Sequence, residues 1–260
     1  MEKPVLSLIG PSIRTHLWPM FYEVVKQSTT LPFEIIFAGP SKITDSGMPD
    51  NFIYIQTSNI KPVQCWQIAA TKARGEVIAL VGDDLIFSPK CFDEAYSIYC
   101  QKQNYKAIIA LRMLFRGVDQ TWTCVFPRYN PGPDKNPLLV PALAIVSKKF
   151  FSEMGGYDRS FLFADANFDF FLRAYHESGA EFFWTKDGES DEDVGWAVGT
   201  HGINNYDGGV LEYSDINRLE QLWYPNNGPL LKERTAPLDP FIMDDTIYTI
   251  SQGANHSKWI

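Results

Sequence analysis

From Val5 to Leu111, short apolar runs alternate with stretches of helical spacing. Val5–Ile9, Phe33–Ala38, Phe52–Gln56, Val77–Val81 and Lys106–Leu111 have the length and composition of strands. After the first of them, Leu17, Met20, Phe21, Val24 and Val25 recur at the spacing of a helix with one buried side. A second helix is predicted to start at Pro62, a residue the first turn tolerates, and to run to Arg74 before Gly75 ends it. Ser88-Pro89 opens a third, with Phe92, Ala95, Tyr96 and Tyr99 as its apolar face. Strands joined by single helices make right-handed crossovers. The expected fold class is therefore α/β, a Rossmann-like, mostly parallel central sheet with helices on both faces.

Past Met113 the alternation stops. Residues 113–138 are rich in Pro, Gly and aromatics and follow no period. Order returns with the apolar Leu138–Val146, a helix over Lys148–Met154, and Gly155-Gly156. A further helix is predicted over Ala166–Ser178, stopped by Gly179, with a strand at Ala180–Thr185. From Asn204 onward the chain reads as loop-rich. The expected organisation is one domain over 1–205 and a C-terminal extension, 206–260, packed on it.

The net charge of −8 argues against a nucleic-acid or anionic-membrane binder, which needs a basic face. Aromatic residues make up 14%, enough to fill a core and still line a surface for sugars or bases. Cys65, Cys91, Cys100 and Cys124 form no C-x-x-C pair, and the first three fall in predicted helices. Reduced thiols in a cytoplasmic protein are the expectation. The opening M-E-K-P-V-L-S-L-I-G is too short an apolar run for a signal peptide. No stretch approaches the roughly 18 apolar residues of a membrane-spanning helix.

The stretch V-I-A-L-V-G-D-D-L-I-F-S-P, Val77 to Pro89, delivers two carboxylates at the tip of a buried strand. Adjacent carboxylates repel unless a cation or hydrogen-bond donors compensate them. In parallel sheets ligands bind beyond the carboxyl ends of the strands, where Asp83 and Asp84 fall. A held ligand is one reading. The other is local: Asp83 caps the turn and Asp84 pairs with a nearby Lys or Arg.

Three segments resemble family 2 glycosyltransferases of the GT-A fold, which use nucleotide-sugar donors. The first strand followed by Pro11-Ser12 is similar to that family's strand with Pro-Thr. Ala73 to Asp84 is similar to its A-x-G-E-y-I-x-x-L-D-x-D. Gly155 to Ala174, G-G-Y-D-R-S-F-L-F-A-D-A-N-F-D-F-F-L-R-A, is similar to its G-G-F-D-E-x-F-x-x-x-E-D-x-D-L-x-L-R. The chain departs from the pattern at four places. Gly82 replaces the first acid of D-x-D, Ala38-Gly39-Pro40-Ser41 follows the second strand, Trp66-Gln67 replaces Arg-Asn, and Ala166-Asn167 aligns with Glu-Asp.

The resemblance implies a metal-dependent transferase that moves a sugar from a nucleotide donor, UDP- or GDP-linked above others, to a carbohydrate or other hydroxyl acceptor. It implies Mn²⁺ or Mg²⁺ at Asp84 with Asp83 beside it and His201 as a late additional ligand. Such ions need only one or two protein carboxylates, because phosphate and water complete the octahedron. Donor contacts are expected from Pro11, Ser12, Arg14, Gly39 and Gln67 with the two acids, Arg14 as a bidentate phosphate donor. Trp122, Arg128 and Tyr129 are expected to rim the acceptor side. An inverting transfer needs a carboxylate to take the acceptor's proton. Asp165 is expected in that role. Asp169 is expected to position it, or to be held by Arg173 four residues on. The extension is expected to shape the acceptor site or an oligomer contact. The alternative is a GT-A domain that binds a glycan or nucleotide sugar without turning it over.

Overall fold

A computed structural model describes residues 3–43, 47–57, 61–115, 118–119, 121–124, 139–162, 165–185, 196–199, 208–225, 231–240 and 248–252. The chain opens with β1 (Leu6–Pro11), α1 (Trp18–Ser28), β2 (Phe33–Gly39), β3 (Phe52–Thr57), α2 (Pro62–Lys72) and β4 (Val77–Leu80). A short β5 (Leu85–Phe87) leads into α3 (Cys91–Lys102) and β6 (Ile108–Ala110). Four short strands follow: β7 (Arg112–Phe115), β8 (Val118–Asp119), β9 (Trp122–Cys124) and β10 (Leu139–Pro141). Then come β11 (Ala144–Ser147), α4 (Lys148–Glu153), α5 (Ala166–Ser178), β12 (Phe182–Trp184) and β13 (Trp196–Gly199). The last elements are α6 (Gly208–Trp223) and β14 (Tyr248–Gln252).

The main sheet has eight strands in the order β12-β6-β11-β4-β1-β2-β3-β14. Only β11 and β14 run against their neighbours, so the sheet is mixed but mostly parallel. Successive side chains of its strands enter different cores, as a sheet covered on both faces requires. Ile9, Ile36, Ile78 and Ile108 join Ile68 of α2, Phe150 of α4, Phe170 of α5 and Leu222 of α6. Leu8, Ile35, Ala79 and Ile109 join Phe21 of α1 and Phe92 of α3.

At the amino ends of the strands, Glu34 is wholly buried. It accepts from Ser7 Oγ at 2.7 Å and from the backbone and side chain of Arg74 at 2.6 and 2.8 Å. A charge in that position is tolerable only because each oxygen is bonded and the ion is paired.

The apolar run Leu138–Val146 supplies two strands, β10 paired with β9 and β11 in the main sheet. One part of the sequence reading changes. The region after Asn204 holds α6 and the edge strand β14, whose Tyr248 to Gln252 pair with Thr57 to Ile53 of β3. Leu219, Leu222 and Trp223 of α6 are core residues, so this segment shares one hydrophobic core with the rest. Among the described residues, no helix is long and apolar enough to cross a membrane.

Candidate functional site

Strands β1 and β4 are parallel neighbours, with Leu6 to Ile9 in register with Val77 to Leu80. Chain order runs outward from β1 to β2 and β3 on one side and returns to β4 on the other. A crevice opens at such a reversal, beyond the carboxyl ends of the strands. Here it is bounded by the residues after β1, namely Ser12 and Arg14, and those after β4, namely Asp83 and Asp84.

Arg14 answers the question of the paired acids. Its Nε donates to Asp83 Oδ1 at 2.8 Å, its Nη2 donates to the same oxygen, and its Nη1 reaches Asp84 Oδ2 at 3.1 Å. Asp83 Oδ2 accepts from Ser12 Oγ at 2.6 Å and from the Arg14 amide at 3.2 Å. Asp83, 1% exposed, is therefore committed to locking β1 against β4. Asp84 is the acid with an outward face, its side chain 23% exposed. Desolvation works against the Arg14 charge, but hydrogen bonds and attraction to Asp83, then to Asp84, outweigh it and raise its pKa above the ordinary value. Two carboxylates and one guanidinium leave the cluster at −1.

The other residues expected to touch the donor build this platform. Ser12 also accepts from Trp18 Nε1 at 2.7 Å. A Cβ on Gly39 would lie 2.0 Å from the Ser12 carbonyl oxygen, so only glycine lets β2 close on the end of β1. Pro11 is the last residue of β1. Gln67 lies against the Gly156-Tyr157 turn. Its Oε1 accepts from the Tyr157 amide at 3.0 Å, and it packs against Gly156, which adopts φ +67.

A cavity of about 260 Å³ reaches the end of β4, though Ser12, Arg14, Asp83 and Asp84 are not in its lining. Leu80 is in its wall, and Trp66 in the same wall donates to the Val81 carbonyl at 3.2 Å. Tyr157, Phe168 and Phe171 supply more of the lining, and Asp165 stands at the start of α5. Asp165 adopts a left-handed backbone, φ 60, which carbon-branched side chains avoid and Asp tolerates. A sparsely populated conformation next to a cavity is a mark of functional sites.

Asp169 does not face that cavity. It is wholly buried, with Oδ2 bonded to Arg173 Nε at 2.9 Å and Oδ1 accepting from Trp223 Nε1 at 2.9 Å. Arg234 Nε lies 3.1 Å from the same Oδ1, and Arg234 Nη2 donates to Asp158 Oδ2 at 2.6 Å. Arg173 completes the network by donating to the carbonyls of Met154, at 2.6 Å, and Gly156. The acids of G-G-Y-D-R-S and the D-x-x-x-R helix thus clamp α5 to α6 and to the segment carrying Arg234. Asp169 has a packing role. Periodicity gave no hint of Arg234, which lies 65 residues further on.

Trp122 of β9 is edge-on to Trp184, ring centroids 6.3 Å apart. It is joined to the cavity through β10, since Pro141 pairs with it and Ala142 lines the wall. Arg128, Tyr129 and His201 lie outside the described residues. Among the described residues no group of three or more His, Cys, Asp and Glu is assembled for a metal. Cys65, Cys91 and Cys100 are free thiols, and burial pushes Cys65 up to about 12. No protein-family model matches the chain, and a search of curated proteins gives no significant match.

Proposed function

We propose that this chain is a GT-A glycosyltransferase that moves a sugar from a nucleoside diphosphate to a hydroxyl acceptor. The observation that carries this reading is the juxtaposition at the end of β4: a net-negative Arg14–Asp83–Asp84 cluster beside a cavity walled by Asp165. The β3-β2-β1-β4 order, shared with nucleotide-binding doubly wound sheets, supports it.

A cluster of charge −1 repels a diphosphate and attracts a cation. Asp84, with its outward face, would hold Mn²⁺ or Mg²⁺, ions that need only one or two protein carboxylates. Such an ion would neutralise the charge that develops on the departing diphosphate. Arg14 stays cationic and holds Asp83 in place. In the transfer, the acceptor oxygen forms a bond to the anomeric carbon as the bond from that carbon to phosphate oxygen breaks. The bonding pair leaves with the nucleoside diphosphate, and Asp165 takes the acceptor's proton.

The test is a thermal-shift screen of UDP, GDP, CDP and dTDP, each with Mn²⁺ and with EDTA. One nucleotide is expected to stabilise the chain by about 2.7 kcal/mol at a hundredfold excess over Kd, and only with the metal. Asp165→Asn should keep that shift and lose sugar transfer. No shift with any nucleotide would falsify the donor site. The second reading, binding without turnover, draws on Ala166-Asn167 standing where the family has its base; a metal-dependent shift with no release of nucleoside diphosphate from any donor selects it.

A further inference from the structure

We infer that the cavity takes a compact acceptor with an apolar, ring-bearing body and a single reactive hydroxyl, not a sugar chain. The inference rests on the transferase reading and on Asp165 as the proton acceptor.

The lining chemistry is lopsided. Among the described residues, Val63, Leu80, Leu143, Trp66, Phe168 and Phe171 make most of the wall, whereas the polar side chains Asp165 and Asn167 come from one turn of α5. The Trp66 N–H is already given to the Val81 carbonyl. Tyr157 is 2% exposed and packed edge-on against Phe151 and Phe170, so its ring belongs to the core. A sugar presents hydroxyls around its whole rim, and each one buried without a partner opposes binding. Sites for polyhydroxylated ligands answer with polar groups on every side, and these described residues offer them on one. A ring with a single hydroxyl satisfies the same wall: its body meets the aromatic and aliphatic surface, and the hydroxyl has one polar corner to enter. That corner holds the base. Apolar walls with a few convergent polar groups are the ordinary design of small-molecule sites.

Size agrees. A dry apolar cavity of roughly 150 Å³ holds benzene, so about 260 Å³ accepts a substituted or fused ring. A phenolic hydroxyl also suits the reaction, because its pKa of about 10 makes its proton easier for a carboxylate to take than that of an alkyl alcohol.

The experiment is calorimetric titration of the full chain with 2-naphthol and, separately, with methyl glucopyranoside. 2-Naphthol is expected to saturate one site with a negative heat-capacity change and to bind at least tenfold more tightly than the glucoside. Ala142→Leu, a half-buried wall position, fills the cavity and should weaken 2-naphthol at least tenfold while the UDP or GDP shift with Mn²⁺ is retained. Asn167→Leu, which removes one of the two side chains of the polar corner, serves as the second variant and should weaken 2-naphthol at least threefold. A glucoside that binds as tightly as 2-naphthol overturns the inference, as does unchanged 2-naphthol affinity in a folded Ala142→Leu chain. Nucleotide binding without 2-naphthol binding sinks the acceptor class alone. 2-Naphthol binding without any nucleotide shift sinks the transferase reading alone.

Discussion

Asp158, Asp169, Arg173 and Arg234 form a cluster of four charges that cancel, with no side chain more than 3% exposed. Asp83, Asp84 and Arg14 form a cluster that does not cancel, and the Arg14 side chain is 26% exposed. Both are built from the same residue types, and both are held by backbone and side-chain donors. The difference lies in what each leaves over. The first leaves neither net charge nor an open face, so it fastens α5 to the C-terminal segment. The second leaves one negative charge and one partly exposed carboxylate at the carboxyl end of β4, the features on which the proposed cation site rests. Closure and neutrality mark a fastening; residual charge and access mark a site.

Arg234→Met is the harshest test of that distinction. It takes the Arg234 partner from buried Asp158 and leaves buried Asp169 with Arg173 alone, and should cost about 3–5 kcal/mol in urea unfolding, the penalty for breaking a buried pair. Arg14→Met should cost less, about 1–3 kcal/mol, because one partner is water-accessible. It should also make Mn²⁺ stabilise the chain more than it stabilises the parent, since a competing cation has gone. If Arg14→Met unfolds the protein more readily than Arg234→Met, the comparison collapses. Asp84→Asn should change stability by less than about 1 kcal/mol and yet abolish the metal-dependent nucleotide shift.

The smallest effect concerns His176, stacked on Trp223 with ring centroids 5.8 Å apart. Burial first, then the Lys232 ammonium, hold its pKa below the ordinary value. A depressed pKa contributes stability in full above the unfolded value of about 6.5, and loses it as pH falls from there towards the folded value. Melting temperature should therefore decline below about pH 6.5 in the parent. His176→Phe should flatten that decline, and an identical slope in the variant would assign it to the carboxylates instead.

Much of this was legible in the sequence where the signal is local. The α5 limits, Ala166–Ser178, follow from apolar period and the terminating Gly179, and the first four strands follow from short apolar runs. Local pattern also put Asp83 and Asp84 at a strand tip. It did not join them to Arg14, because that contact depends on β1 and β4 being parallel neighbours, 69 residues apart in the chain. Arg234, Trp223 and the edge strand β14 were missed for the same reason. Their partners are distant, and residues such as Trp223 and Arg234 sit in a stretch whose composition reads as loop. Gln67 shows the same limit: its place in a family motif suggests a donor contact, and the bond from the Tyr157 amide to its Oε1 spans 90 residues that no local pattern joins.

The clamp on α5 has a consequence for synthesis. Chains emerge from the ribosome amino end first, at about 5–20 residues per second. When β12, the seventh strand of the main sheet in chain order, and α5 have already been made, Arg234 and β14 have not. Until they arrive, Asp169 is paired with Arg173 alone, Asp158 lacks its Arg234 partner, and the outer edge of β3 has no strand to pair with, an exposed edge of the kind that invites association between chains. The segment from Arg234 to β14 thus acts as a latch: the α5 clamp and the β3 edge are complete only once that segment has been made.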